Sequence, residues 1–304
     1  MNRGNKDKLS IGNRFFSALN NRGLLLWVPD KYVLKKLFKI KTGKKLDLKN
    51  PKTYGEKVQW LKLYNRKPEY VMMVDKLKVK EYVAQTIGKQ YVIPVITVWE
   101  SVDEINWDTL PNQFVLKCNH DQGGIVICRN KKELNKNKAK QILHQHMKRS
   151  GYWYGREWPY KDVDRKIFAE IYREDCTGEL LDYKVLCFNG IPKLIEIHRG
   201  RFGDHTQDFF DTNWNRTDIY QDGLPHSKIP MEKPHFLDEM LQLSELLSKN
   251  IPHVRVDWYH DGKQLLFGEL TFYDGSGFDL FKPTEWDYKL GEWINLCGAD
   301  CSDL

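Results

Sequence analysis

Two segments carry the residue types best suited to chemistry. VRVDWY places Arg255 and Asp257 on one candidate strand, and FGELTF places Glu269 two residues before Thr271 on the next. Residues i and i+2 of a strand face the same side, so these four could share one surface. Carboxylates there suit Mg²⁺, which keeps several waters and draws its other ligands from one or two carboxylates and substrate phosphates. A ladder of salt bridges fits the same pattern. The flanking positions are apolar, however, and unpaired carboxylates among them would be expensive to bury. Directly downstream, the loop TFYDGSG offers freed backbone N–H groups and the Ser276 hydroxyl, beside Gly277, to an anion, or else forms an ordinary turn.

A second group lies in FVLKCNHDQGG. Lys117 ends a strand as a compact cation for phosphate oxygens, and Gly123 and Gly124 open the next strand without Cβ interference. The string is neither GxxxxGK[ST] nor GxGxxG, so a dinucleotide-binding fold is not supported. In KIFAEIYRE, Glu170 sits among apolar residues and wants a donor such as an adenine amino group. Asp182 could accept from ribose hydroxyls, and Lys184 shares its face; a local Asp–Lys pair is the plainer alternative. His198, Arg199, Arg201 and His205 follow, and could bind a carboxylate or serve only structure.

These residues need strands and tight turns to hold them. Strand patterns run through YVIPVITVW, FVLKCNH, GGIVICR and KIFAEIY. Two hairpins follow, turning at Asn189-Gly190 and Asp261-Gly262. Helical spacing marks two amphipathic helices within residues 14–40, broken near Pro29, then residues 56–64, 74–86, 132–147 and 236–249. The aromatic stretch GYWYGREWPY reads as mobile, and residues 203–230 as a polar connection. The expected units are 1–50 (basic, helical), 51–113 (lead-in), 114–174 (lid), 175–298 (catalytic and metal-binding) and 299–304 (tail).

A chain of 304 residues with 41% hydrophobic and 13% aromatic content can bury a substantial core. No apolar run is long enough to span a bilayer and the first residues lack a signal-peptide stretch, so a cytoplasmic location is expected. The six cysteines, Cys118, Cys128, Cys176, Cys187, Cys297 and Cys301, form no CxxC pair and read as reduced thiols. Net charge is +7, but residues 1–50 hold thirteen Lys/Arg against three Asp/Glu, so they carry +10 and the remainder −3. That end could meet anionic lipid at the inner face of a membrane or an acidic glycan, or be a solvated helical face. Nucleic acid is not expected, because no zinc-finger spacing or RNA-binding signature is present.

The order of the motifs, Lys76, Lys117, Gly123-Gly124, Glu170, Asp182-x-Lys184, Asp257 and Glu269, resembles the ATP-grasp superfamily. The strings NPKTYGEKVQWLKLY, VDKLKVKEYV, LPNQFVLKCNH, FGELTFYDGSGF and EWDYKLG resemble the teichuronopeptide-biosynthesis-type (TupA-like) ATP-grasp family, over about residues 50–296. The resemblance implies an α+β ATP-grasp fold, two α+β subdomains clasping ATP, behind a basic helical N-terminal extension. It implies that Lys76 and Lys117 bind ATP phosphates under a 119–125 loop containing Asn119, His120, Gly123 and Gly124. Glu170 with the backbone of Ile171, Tyr172 and residue 173 would hold adenine, Asp182 the ribose and Lys184 a phosphate. Asp257 and Glu269 would hold Mg²⁺ while Arg255 steadies an acyl phosphate. Many relatives place Asn two residues after the metal-binding Glu, where this chain has Thr271, a poorer ligand.

The implied activity is an ATP-dependent carboxylate–amine ligase that joins an amino acid to a uronic-acid-containing glycan or its precursor through an acyl phosphate. The 119–125 loop and residues 151–160 are the expected lids that exclude water. Arg199 and Arg201, with Ser276 and Gly277, are the expected substrate contacts. Two other readings compete. A glycosyltransferase would want an Asp-x-Asp triplet at a strand end, yet Asp162-Val-Asp164 lies in a polar turn. A catalytically silent glycan-binding or membrane-docked protein would carry Thr271 as its lesion.

Overall fold

The computed structural model describes residues 10–175, 180–200, 204–221 and 223–296. Cys176, Arg201, Cys297, Cys301 and the 299–304 tail lie outside the described residues. The expected α+β architecture is present, organised around two antiparallel sheets, each with its own hydrophobic core.

The basic segment forms helices α1 (Ile11–Asn21) and α2 (Asp30–Thr42), separated at Pro29, where the fixed proline φ starts the second helix. Gly43, at φ +75°, closes α2 in the left-handed conformation. Next comes α3 (Tyr54–Tyr64), opened by a capping box in which Thr53 Oγ1 accepts from Glu56 N and Glu56 Oε2 accepts from Thr53 N. Of the expected 74–86 helix only Val79–Thr86 forms a helix, α5, while Val74 ends a separate helix, α4 (Glu69–Val74). The break is at Asp75, whose carboxylate accepts from Leu77 N and Lys78 N and so competes with continuation of α4.

The first sheet has order β1-β4-β2-β3, built from β1 (Val95–Trp99), β2 (Phe114–Cys118), β3 (Ile125–Cys128) and β4 (Ile167–Ile171). Phe114, Leu116, Ile167 and Ala169 turn one face onto α6 (Lys136–Met147), which contributes Ala139 and Leu143. Because β1 pairs with β4, the four-stranded sheet also takes in residues 95–99. Proline 94 ends the preceding irregular stretch, which is why the strand is shorter than YVIPVITVW.

The second sheet, order β10-β9-β5-β6-β7, contains β5 (Asp182–Phe188), β6 (Ile191–Arg199), β7 (Thr206–Asp211), β9 (His253–His260) and β10 (Leu265–Thr271). The short β8 (Tyr220–Gln221) pairs with β11 (Phe281–Lys282). The 203–230 segment is therefore not only a connection: β7 supplies the edge strand, its polar Gln207 and Asp208 buried in hydrogen bonds that composition does not reveal. Helix α8 (Leu237–Ser248) covers one face of this sheet, with Trp258 Nε1 donating to Ser244 Oγ at 2.8 Å. Helix α3 meets the other face, where Tyr54 Oη and His253 Nε2 lie 2.9 Å apart. Helix α9 (Thr284–Trp293) packs on α3, so the chain's last helix closes onto its lead-in.

The aromatic 151–160 stretch is not a mobile lid. It folds as α7 (Gly151–Gly155) and a 3₁₀ turn at Trp158–Lys161, with Tyr152, Trp158 and Tyr160 buried. Its anchor is Arg156, 1% exposed, which donates to Asn20 Oδ1 (2.9 Å), the Leu25 carbonyl (2.9 Å), Tyr152 Oη (3.1 Å) and Asp30 Oδ1 (3.1 Å). Removing one member of such a buried ionic set leaves charge and carbonyls unmatched. Arg156→Met should lower stability by about 3 kcal/mol, seen as a Tm drop of roughly 6–10 °C. An unchanged melt would show that Arg156 does not hold these helices.

Candidate active site

The four residues of the second hairpin meet on the face of the five-stranded sheet opposite α8. Glu269 lies opposite Asp257, and Thr271 opposite Arg255. This depends on a one-residue register slip at Gly268. Opposed residues of an antiparallel pair share a face, so an unslipped strand would set Glu269 against Val256 and turn it toward α8. Gly268 allows the slip because a Cβ there would stand 3.0 Å from the Asp257 carbonyl oxygen. Lys184 continues the row, opposite Asp257 on one side and Glu196 on the other.

The row sets three carboxylates against Lys184 and Arg255 and is closely bonded. Lys184 Nζ donates to Asp257 Oδ2 at 2.6 Å and lies 3.0 Å from Asp182 Oδ2. Arg255 holds both Asp257 oxygens at 2.7 Å, donates to Asp274, and reaches Thr271 Oγ1 at 3.3 Å. Thr271 in turn donates to Glu269 Oε1 at 3.0 Å, and Lys76 donates to the other Glu269 oxygen. Burial acts to neutralise these groups, but the neighbours win. Burial would raise Glu269, yet Lys76, Arg255 and Lys184 hold its pKa well below the ordinary glutamate range. Burial and Arg255 oppose the Lys184 cation, while Asp257, Asp182 and Glu196 outweigh them and raise its pKa.

The four-stranded sheet presents a matching cluster on the face opposite α6. Lys117 and Lys80 both pair with Glu170, the second at 3.0 Å, and Lys80 also donates to the Ile93 carbonyl at 2.9 Å. Burial would raise Glu170, but these two lysines lower its pKa. Lys76 connects the clusters: its side chain is on Glu269 of the five-stranded sheet, while its backbone N–H donates to the Asn119 carbonyl of the 119–125 loop at 3.0 Å.

Several expected contacts are committed elsewhere. Asn119 accepts from Lys166 N and donates to the Asp164 carbonyl, both at 2.8 Å, so its amide braces the loop. His120 is 1% exposed, its Nε2 3.3 Å from the His146 carbonyl oxygen. Gly123 and Gly124 are required by the protein's own packing, since a Cβ would lie 2.7 Å from His146 or from Cys118 Sγ. Ile171 N–H donates to the Pro94 carbonyl, and Tyr172 Oη bonds to Arg129 and Glu174. Ser276 and Gly277 are buried against α3, where Lys62 Nζ donates to the Ser276 carbonyl (2.7 Å) and hydroxyl (2.9 Å) and Gln59 Nε2 donates to the Gly277 carbonyl (3.0 Å). They form no open anion loop. Arg199 points to the Ile229 carbonyl, and Arg201 is outside the described residues. His198 and His205 face each other at 3.0 Å, and His198 Nε2 meets Glu196 at 2.6 Å.

Four residues of the site were missed by reading the sequence. Lys80 stands one helical turn after Lys76, a spacing that signals a shared face. Asp274 lies within TFYDGSG, where the glycines drew attention instead. Glu196, 4% exposed, extends the row onto β6 and has one oxygen without a hydrogen-bond partner. Lys62 has no local signal at all; burial brings its pKa down to about 7, against the pull of Glu157. For Mg²⁺, Asp257, Glu269 and Thr271 are the right kind of oxygen donors. Glu269, with 28% of its side chain exposed, is the most open of the two carboxylates, and the remaining ligands would come from phosphate and water.

The family model described as TupA-like ATPgrasp matches residues 56–295. No curated protein matches the chain. Among solved structures, a D-alanine–D-alanine ligase from Bacillus anthracis complexed with ATP shares 16% identity over 66% of this chain, with a TM-score of 0.41. The chain spans only 55% of that ligase. A D-alanine–D-alanine ligase from Helicobacter pylori shares 15% identity over 79% of this chain and 69% of its own, with a TM-score of 0.42. An N5-carboxyaminoimidazole synthase from Aspergillus clavatus shares 10% identity over 66% of this chain and 44% of its own, with a TM-score of 0.37. Scores of this size leave the assignment to the family match. That match takes in most of the sequence, and the chain belongs to the TupA-like ATP-grasp family.

Proposed function

We propose that the chain is an ATP-dependent carboxylate–amine ligase that joins an amino acid to a uronic-acid-bearing glycan or its precursor. The supporting observation is the bridge made by Lys76, which brings the loop after Lys117 and the Glu269–Asp257–Lys184 row to one place. The glycan and amino acid rest on the family resemblance alone.

A carboxylate is a poor electrophile until one oxygen carries phosphate. In the first step a substrate carboxylate oxygen attacks the γ-phosphorus and ADP leaves; in the second the amine attacks the acyl carbon and phosphate leaves. Lys76 and Lys117, drawn from Glu269 and Glu170, bind the phosphates, and Lys184 stays on the row to meet the transferring group. Asp257 and Glu269, with the Thr271 hydroxyl, would hold Mg²⁺, which when bound neutralises charge on the triphosphate. Arg255 and Asp274 fix Asp257 in place. Within the 119–125 loop, Gln122, Gly123 and Ile125 are exposed and available to shield the acyl phosphate from water.

The protein incubated with ATP, Mg²⁺, uronic-acid precursors and single amino acids should release ADP and phosphate with an amide product. Release of a nucleoside diphosphate from a sugar nucleotide instead would replace the ligase with a transferase. Lys117→Ala and Glu269→Ala should each lower turnover by about 100-fold or more with the circular dichroism spectrum retained. Gly268→Val, which removes no functional group, should impair turnover comparably by turning Glu269 off the row; normal turnover would refute the role of the register slip.

The depressed pKa of Glu269 also has a direction for stability without ligand. Its pairing contributes fully above the ordinary glutamate value of about 4.3 and is lost as pH falls through the lower folded value. Acid titration should therefore destabilise wild type more steeply than Glu269→Gln below about pH 4.3. Parallel curves would show that Glu269 titrates normally.

A further inference from the structure

Helix α1, the turn after it and the start of α2 leave large apolar side chains in solvent. Ile11 is 86% exposed, Trp27 82% and Leu26 70%, with Phe15, Leu24 and Tyr32 all above half. Large apolar groups clustered in one short stretch of surface mark an interaction face. Ile11 and Phe15 are one turn apart and share an outward side of α1, while Phe16 packs partly against the main core and Val33, Leu34, Leu37 and Phe38 of α2 are buried in it.

Arg14, Arg22, Lys31, Lys35, Lys36 and Lys39 are exposed beside these residues, and none of the ion pairs among the described residues uses them. Between residues 10 and 42 the single acidic residue is Asp30. Its carboxylate is already held by Arg66 at 2.8 Å, Arg156 at 3.1 Å and the Tyr152 hydroxyl at 2.5 Å. The face therefore offers apolar groups and uncompensated positive charge together. A second copy of this chain would bring like charge against like charge, which disfavours self-association through the same surface. Among the described residues no helix is long and apolar enough to cross a membrane, so the surface lies on its partner rather than passing through it.

We infer that this face docks on an anionic lipid bilayer, with Trp27, Leu26 and Leu24 entering the headgroup region and the surrounding Lys and Arg meeting lipid phosphates. An amphipathic surface rich in Lys and Arg binds by apolar area and by attraction to anionic headgroups together, and tryptophan favours the interfacial depth. Docking here is independent of the ligase reading, since the face carries no residue of the active-site row.

Vesicle co-sedimentation tests it, with phosphatidylcholine vesicles compared with vesicles also containing phosphatidylglycerol. The full chain should pellet with the anionic vesicles and not with the neutral ones, and raised salt should release it. Leu26→Ser combined with Trp27→Ser, and separately Lys35→Glu combined with Lys36→Glu, should each weaken binding by about tenfold or more with unchanged thermal melts. No pelleting, equal pelleting of wild type and both variants, or a wild-type dimer that the variants dissolve would each overturn the inference.

Discussion

The structure depends on one row of charged residues crossing the five-stranded sheet: Glu269, Asp257, Lys184 and Glu196, with the cations Arg255 and Lys184 set among the carboxylates and Asp182 beside them. A carboxylate or ammonium removed from water loses several kcal/mol of hydration unless opposite charges and hydrogen bonds replace it. Asp257, 2% exposed, satisfies that requirement with Lys184 on one side and a two-pronged Arg255 on the other. Remove any member and its neighbours are stranded. That mutual dependence requires the register slip at Gly268, because Glu269 joins the row only if the strand gains one residue there.

The same pairing of cation with carboxylate recurs across both sheets. Each lysine that would hold a phosphate already has a carboxylate partner: Lys76 on Glu269, Lys117 and Lys80 on Glu170. On the proposed ligase reading, nucleotide binding would draw these lysines from their carboxylates onto phosphate oxygens. Lys76 also donates its backbone N–H to the Asn119 carbonyl, so the residue paired with Glu269 is tied to the 119–125 loop. The Lys62 cluster supports this from below, tying α3, the 151–160 segment and the 274–277 turn together beside Asp274.

Much of this was legible in the sequence because it is local. Strand alternation placed Arg255 with Asp257, Asn-Gly and Asp-Gly marked two hairpins, and Pro29 separated two helices. What stayed hidden is non-local. Nothing near Gly268 distinguishes a slipped register from a regular one, and Lys62 looks like any helix-surface lysine until residues 155 and 276 close over it. Residues 206–211 read as polar because Gln207 and Asp208 find their partners 11 to 19 positions away. The aromatic stretch read as mobile because its anchor, Arg156, binds α1 and the turn after it, more than 130 residues earlier.

The most direct test is a crystal structure of the chain with Mg²⁺ and a non-hydrolysable ATP analogue. The account places the triphosphate between the two sheets, with Lys76 and Lys117 moved from Glu269 and Glu170 onto its oxygens, and Mg²⁺ against Glu269. A nucleotide bound away from that row, with both lysines still on their carboxylates, would contradict it.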